Sequence, residues 1–222
     1  MLFKRKTVWW PTLWGWLLLL ALVIVPPALF FWKGEAFLAV THRQPPDILV
    51  VEGWIGREGI KSAAEEFRNG GYRYLVTNGG YTSEGAGQMW NFAEVAGRHF
   101  VQLGIPQDRI LIAKSGPGED HRTLNSAWAV RRVLKENSIE PTSINLFTRG
   151  VHARRSGLVN SKVATVPVGT IAWMPASYTS RPWWNSSGRA KDFLVESFAY
   201  FFEALLNSGR TSNEATDQAA QP

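Results

Sequence analysis

With 222 residues, 45% of them hydrophobic, the chain is long enough for one sizeable core with attachments and too short for two large domains. It contains no cysteine, which excludes a disulfide-linked partner, a thiolate metal site and a cysteine nucleophile. Its net charge is +6, but residues 1–43 hold five Lys or Arg against one Glu and leave only 19 basic against 17 acidic residues beyond them, so we expect no nucleic-acid partner.

Residues 9–32 form an uncharged apolar run with tryptophans near both ends. About 20 helical residues cross the hydrocarbon core of a bilayer, and tryptophan suits the two water interfaces. We therefore predict a transmembrane helix, with the lipid bilayer as its partner. Lys4, Arg5 and Lys6 precede the run, so the positive-inside rule predicts a cytoplasmic N-terminus over residues 1–8 and an exported main domain. A cleavable signal peptide is the alternative, although the run exceeds the usual apolar region of such peptides.

After a predicted linker over residues 33–45, short apolar runs alternate with stretches of helical periodicity as far as residue 207. The predicted strands cover residues 47–53, 74–80, 109–114, 143–148 and 168–175. The predicted helices cover residues 57–71, 86–103 and 122–137, a shorter stretch from about residue 151, and a closing stretch over 188–209. This alternation predicts an α/β fold, a Rossmann-like three-layer sandwich with a mostly parallel five-stranded sheet, preceded by one transmembrane helix. Residues 208–222 are polar and are predicted to form a disordered tail.

In such a sheet, ligands bind outside the carboxyl ends of the strands, where the winding order reverses. The stretch TRGVHARRS follows the predicted fourth strand and places His152 and Arg155 three residues apart. Both would lie on one face of the first helical turn, where free backbone N–H groups favour anions. We therefore expect these two side chains to hold a phosphate or carboxylate, with Arg155 exposed and offering its planar fork.

Glu52 ends the first predicted strand, where a buried carboxylate needs a partner. His152 or an arginine beside it could supply that partner. Glu52 and His152 are accordingly the predicted catalytic residues, with Glu52 as general base. The sequence contains no nucleophile elbow, phosphate-binding loop or zinc-helix motif. A metal site is therefore not expected, beyond weak cation binding at Glu119 and Asp120.

Four segments, DILVVEG, VTNGG, RTLNSA and TRGVHARRS, resemble the membrane-associated SanA/ElyC/YdcF family at these separations, over roughly residues 46–205. The most specific match is Thr148-x-x-x-His152-x-x-Arg155. The glycines of Asn78-Gly79-Gly80 match the family's Ser-Gly-Gly. The chain departs from the family in two segments, which read Thr123-x-x-Ser126 where the family has Thr-x-x-Asn, and Glu52-Gly53 where it has a glycine pair.

The resemblance implies a Rossmann-like domain tethered to the bacterial inner membrane and facing the periplasm. It also implies a role in cell-envelope integrity or peptidoglycan-related lipid-carrier metabolism, but no particular reaction. Strand ends and motif matches together predict ligand binding at the following residues: Gly53, Asn78, Gly79, Gly80, Thr123, Thr148, His152 and Arg155. Each has a plainer interpretation, since glycines also serve tight turns and Thr123 could simply cap a helix.

Three functions are compatible with these features. The first is a single-pass, periplasm-facing domain that binds or processes an anionic envelope precursor, phosphorylated or sugar-linked, as a hydrolase or transferase. The second is a tethered envelope module without catalysis. The third is a cytoplasm-facing nucleotide-binding enzyme, in which case a nucleoside-type cofactor would fit the fold.

Overall fold

The computed structural model describes residues 9–83, 89–116, 121–179 and 181–206. The chain divides into two compact units, Met1–Glu35 and Ala36–Pro222. Helix α1 (Leu13–Leu38) is long and apolar enough to cross a membrane, by length and composition. It extends six residues beyond the predicted span, so part of the expected linker is helical.

The described residues contain the following strands: β1 (Ile48–Glu52), β2 (Tyr74–Gly79), β3 (Tyr81–Ser83), β4 (Met89–Asn91), β5 (Ile110–Lys114), β6 (Ile144–Arg149) and β7 (Val168–Trp173). Among these residues, five strands form one parallel sheet in the order β5-β2-β1-β6-β7. The predicted α/β class and its parallel five-stranded sheet are confirmed. The order runs outward from β1 to β5 and then returns to β6 beside β1, so the winding direction reverses between β1 and β6.

The helices that follow α1 in the described chain are α2 (Gly56–Gly70), α3 (Phe92–Gln102), α4 (Arg122–Glu136), α5 (Ala153–Val163), α6 (Ala176–Thr179) and α7 (Ser187–Phe201). A 3-10 turn over Gly150–His152 joins β6 to α5, another covers Trp183–Asn185, and a π-helical turn over Phe202–Leu206 extends α7. The closing helix was predicted over 188–209. It begins at Ser187 because Ser186 caps it, its side chain accepting from the Arg189 N–H.

The core has two apolar layers because alternate residues of each strand point to opposite faces of the sheet. Leu49 and Val51 face the side of α2 and α3, where they pack with Phe67 and Phe100. Their neighbours Ile48 and Val50 face the other side, where they pack in one cluster with residues of α4. All five residues of β1 are buried, as expected for the central strand of a doubly covered sheet.

Two local features differ from the predictions. Residues 39–45, expected to be linker, lie on the folded unit, where His42 pairs with Thr170 of β7 through backbone hydrogen bonds of 2.7 and 2.8 Å. The antiparallel pair β3–β4 falls where a loop and a helix start at residue 86 were expected. Helix α3 begins later, at Phe92, because the Asn91 side chain caps it by accepting from two backbone N–H groups.

Candidate functional site

Polar side chains replace the apolar layer at the carboxyl ends of the central strands. Glu52 and Asn78 are register partners on β1 and β2, and Thr148 occupies the equivalent end of β6. Strand alternation places all three on the face of Ile48 and Val50, the side covered by α4. All three side chains are buried. The site therefore lies at the edge where the sheet reverses its winding, as predicted for a ligand site in this fold.

Glu52 accepts hydrogen bonds at both carboxylate oxygens. Thr148 donates its hydroxyl to Oε2, and Ser156, in the first turns of α5, donates its hydroxyl to Oε1 at 2.5 Å. His152 Nε2 lies 3.5 Å from the same Oε1. From the sequence we expect His152 or an arginine beside Glu52, and the structure places His152 there. Glu52 therefore accepts hydrogen bonds from Thr148 and Ser156 and holds both hydroxyl groups in place.

His152 lies between two carboxylates. Its Nδ1 is 2.9 Å from Glu196 Oε1 on α7, opposite the Nε2 contact with Glu52. A carboxylate oxygen only accepts, so the Nδ1 contact requires a proton on the ring nitrogen. Trp54 also packs against the His152 ring, with ring centroids 5.1 Å apart in a T-shaped arrangement.

Arg155 presents its fork to Glu196. Its Nε donates to Glu196 Oε2 at 2.7 Å and its Nη2 to Oε1 at 3.0 Å, while Nη1 donates to Thr123 Oγ1 at 3.1 Å. Arg155 Nη2 also approaches His152 Nδ1 at 3.1 Å. Because the Nδ1 proton already points to Glu196, this last approach brings two donors together and is not a hydrogen bond.

We call Glu52, His152, Arg155 and Glu196 the charged quartet. The positive charges of His152 and Arg155 balance the negative charges of Glu52 and Glu196. The side chain of Arg155 is only 18% exposed and that of Glu196 13%. The expectation of an exposed Arg155 was therefore wrong, because α7 covers the start of α5 and supplies a carboxylate to the fork.

Mutual charge stabilisation sets the pKa values of the quartet. Burial alone would lower the pKa of His152, but the charges and hydrogen bonds of Glu52 and Glu196 outweigh it and raise the pKa to about 9. Burial alone would raise the pKa of Glu196, yet His152 and Arg155 hold that pKa at about 2. The pKa of Glu52 is likewise lowered, since His152, Ser156 and Thr148 overcome the effect of its burial. The ring of His152 is thus an imidazolium at neutral pH.

The predicted glycines lie at this edge, and close packing accounts for each of them. A Cβ on Gly53 would stand 2.3 Å from the backbone oxygen of Phe92, and one on Gly79 would stand 2.8 Å from the Phe92 side chain. Gly79 also has a φ of 154°, which favours glycine. A Cβ on Gly80 would lie 3.2 Å from Ser115 Oγ. The ligand-binding role predicted for these glycines stays a prediction.

Asn78 and Thr123 complete the predicted set. The amide nitrogen of Asn78 is buried and has no hydrogen-bond partner in the described part of the chain, which leaves a donor at the edge of β2. Thr123 lies in the first turn of α4 and accepts from Arg155. Its capping interpretation is not supported, because the cap position of α4 belongs to His121. Glu119 and Asp120 lie outside the described residues.

Sequence reasoning missed Glu196 and Ser156. Glu196 is the lone acidic residue within the apolar stretch FLVESFAYFF of the closing helix, and a charge inside an apolar run signals a buried partner. Ser156 directly follows Arg155 and gives no such signal. Among the described residues no group of three His, Asp or Glu side chains is arranged to hold a metal ion. The absence of a metal site stays a prediction from the sequence.

No protein-family model and no curated protein matches the chain. The resemblance to the SanA/ElyC/YdcF family therefore stays an expectation carried by the segments quoted above. The function has to be argued from the site itself.

The pKa of His152 predicts how stability depends on pH. A histidine whose pKa rises on folding from 6.5 to about 9 contributes stability that is fully present below pH 6.5 and is lost as pH rises through 9. The carboxylates of the quartet act in the opposite sense, because their stabilisation is lost only as the solution becomes strongly acidic. Urea unfolding of the full chain in detergent should show a loss of about 3 kcal/mol between about pH 6.5 and 9.5.

His152→Gln should abolish this alkaline loss, although the variant is less stable overall. His42→Gln removes an exposed imidazole and should retain the loss unchanged. An unfolding free energy of the wild-type chain that stays constant across this range would contradict the buried imidazolium.

Proposed function

We propose that the chain is a single-pass protein of the bacterial inner membrane whose α/β domain lies in the periplasm and binds an anionic envelope precursor. The precursor would carry a phosphate or a sugar-linked anionic group. The observation that carries this proposal is the convergence of His152 and Arg155 at the reversal point of the sheet. Doubly wound sheets bind their ligands at this point.

The contacts of the quartet leave donors for such a ligand. Arg155 has five N–H bonds, of which three donate to Glu196 and Thr123 in the described chain. The second N–H of Nη1 remains for an incoming oxygen, whereas Nη2 also faces His152 Nδ1 at 3.1 Å. The Nε2–H of His152 is a second available donor, since its contact with Glu52 is long at 3.5 Å. The start of α5 adds a favourable dipole.

Glu196 acts in this proposal as an internal counter-ion. A phosphate that approaches Arg155 meets a guanidinium already paired, so it either uses the remaining N–H bonds or displaces the carboxylate. Glu196 therefore keeps the cations compensated when no ligand is bound. Glu196 also restricts which anions bind, because a singly charged, weakly basic anion cannot compete with a bidentate carboxylate for Arg155.

A hydrolase or transferase activity is the more specific form of the proposal. His152 would act as a general acid, because its raised pKa keeps it protonated. Glu52 would orient His152, since both of its oxygens already accept hydrogen bonds. The role of Glu52 as general base therefore loses support, and a positioning role gains it.

A tethered module without catalysis is the second candidate. The balance of charge within the quartet favours it, because a fully compensated buried network needs no ligand. The two candidates differ in what Glu196 does. It competes with a ligand in the first and only stabilises the fold in the second.

Membrane topology separates these candidates from a cytoplasm-facing nucleotide-binding enzyme. Lys4, Arg5 and Lys6 before α1 predict that the C-terminus lies outside the cytoplasm. An alkaline phosphatase fused to the C-terminus should therefore be active in bacterial cells. An inactive phosphatase together with a fluorescent cytoplasmic reporter at the same position would contradict the proposed orientation.

Anion binding is tested by calorimetric titration of the full chain in detergent with inorganic pyrophosphate and with a polyprenyl phosphate. Arg155→Ala should weaken binding about 10- to 100-fold, the value of one charge-assisted hydrogen bond. Arg155→Lys should restore part of it, because lysine keeps the charge without the fork. Arg132→Ala removes an exposed arginine of α4 and should change nothing.

Glu196→Gln distinguishes a ligand site from a structural network. Removal of the competing carboxylate should strengthen binding of both probes in the proposed site. Absence of binding in the wild-type chain and in Glu196→Gln, with both proteins folded by circular dichroism, would leave the quartet as a structural network. Arg155 is paired and largely buried, so each variant is also checked by its unfolding temperature.

A further inference from the structure

Helix α7 and its π-helical extension have an inner face that belongs to the fold. Phe193 stacks on Trp183 with ring centroids 4.1 Å apart. Glu196 completes the charged quartet, and Glu203 in the π-helical turn pairs with Lys162 at 2.9 Å. This face fixes α7 against α5 and against the Trp183 segment that precedes α7.

The opposite face of the same helix is apolar and exposed. We define the outer face as Leu194, Val195, Phe198, Phe202, Leu205 and Leu206, whose exposed fractions range from 50% to 76%. Leu194, Phe198, Phe202 and Leu206 repeat every four residues, so the set forms one stripe. A helix on a water-facing surface carries polar residues there. A contiguous exposed apolar stripe marks an interaction surface.

The C-terminal end of α7 is fixed near the point where the chain enters the folded unit. Phe37, the second residue of that unit, packs edge-on against Tyr200 of α7 with ring centroids 5.5 Å apart. Arg154 of α5 stacks over the Phe37 ring at 3.8 Å and also lies over Tyr200 at 5.9 Å. Rings and guanidinium together hold residue 37 beside α7.

Phe37 follows the end of the uncharged run, Trp32, by five residues. Five residues reach at most about 18 Å even when extended. If residues 9–32 lie in the bilayer, the lipid surface is therefore within short reach of α7. The C-terminal tail offers no apolar cover for the stripe, because residues 207–222 contain no large hydrophobic side chain.

We propose that the outer face of α7 lies in the interface of the bilayer that α1 spans, so that the domain is held against the membrane by two elements. An amphipathic helix binds a lipid surface through an apolar face of this kind. Lys191 is exposed one turn before Leu194 and on the same side, where its ammonium group suits a lipid phosphate. The proposal rests on the membrane insertion of α1 proposed above.

The absence of cysteine from the chain allows a direct test with single spin labels. The full chain is reconstituted in vesicles of phosphatidylethanolamine and phosphatidylglycerol, with a nitroxide at Phe198→Cys on the outer face. Asp192→Cys, an exposed polar position on the same helix, is the matched control, and Leu20→Cys reports on α1. Relaxation of each label by lipid-soluble oxygen is compared with relaxation by a water-soluble nickel complex.

The labels at Phe198→Cys and Leu20→Cys should favour oxygen, and the label at Asp192→Cys should favour nickel. A label at position 198 that favours nickel while position 20 favours oxygen would overturn the lipid contact of α7 and leave the anchor intact. A label at position 20 that favours nickel would overturn both. Leu205→Cys repeats the measurement if Phe198→Cys does not fold.

A second copy of the chain on the outer face is distinguished by the same labels. Protection of position 198 from both reagents would overturn the lipid proposal. Spin–spin broadening that disappears on dilution with unlabelled chain would then identify the cover as another copy.

Discussion

A carboxylate buried at the end of the central strand is the constraint on which the site depends. Glu52 is 3% exposed, and a buried charge is tolerated only with hydrogen bonds and a counter-charge. Thr148 and Ser156 supply the hydrogen bonds and His152 the charge. The charged His152 needs compensation in turn, which Glu196 provides together with its pairing to Arg155. One buried carboxylate thus fixes the joint between β6 and α5 and the position of α7.

Helix α7 contributes both to the charged quartet and to the exposed apolar surface. Its inner face compensates the cations at the reversal point of the sheet, and its outer face is apolar and exposed. In the proposed account the same helix covers the ligand site and lies on the membrane. A precursor that arrives with a lipid tail would then approach the cations from the surface on which α7 rests. In that account, helix α1, the exposed stripe and the quartet would all serve one lipid-linked substrate class.

The fold could be predicted because each strand and helix is indicated by the hydrophobic pattern of its own residues. Strands buried on both faces read as unbroken apolar runs, and β1, β2, β5, β6 and β7 begin and end close to the predicted residues. The pair β3–β4 escaped because three-residue strands give no periodic signal. Glu52 and His152 could be brought together from the sequence, since the ends of adjacent parallel strands share one edge. The pairing with Glu196, 44 residues after His152, depends on how α7 packs, and no local pattern encodes that packing.

The protonation state of His152 is the central claim, because an imidazolium between two carboxylates explains the stability of the quartet and is the basis of the anion binding proposed above. The four histidines of the chain allow a direct measurement by nitrogen-15 NMR of the imidazole rings in detergent, with His152 assigned by its loss in His152→Gln. The account predicts a ring protonated at both nitrogens at about pH 7.5 that titrates with a pKa near 9. A neutral ring at that pH, with a titration near the ordinary histidine value, would contradict it.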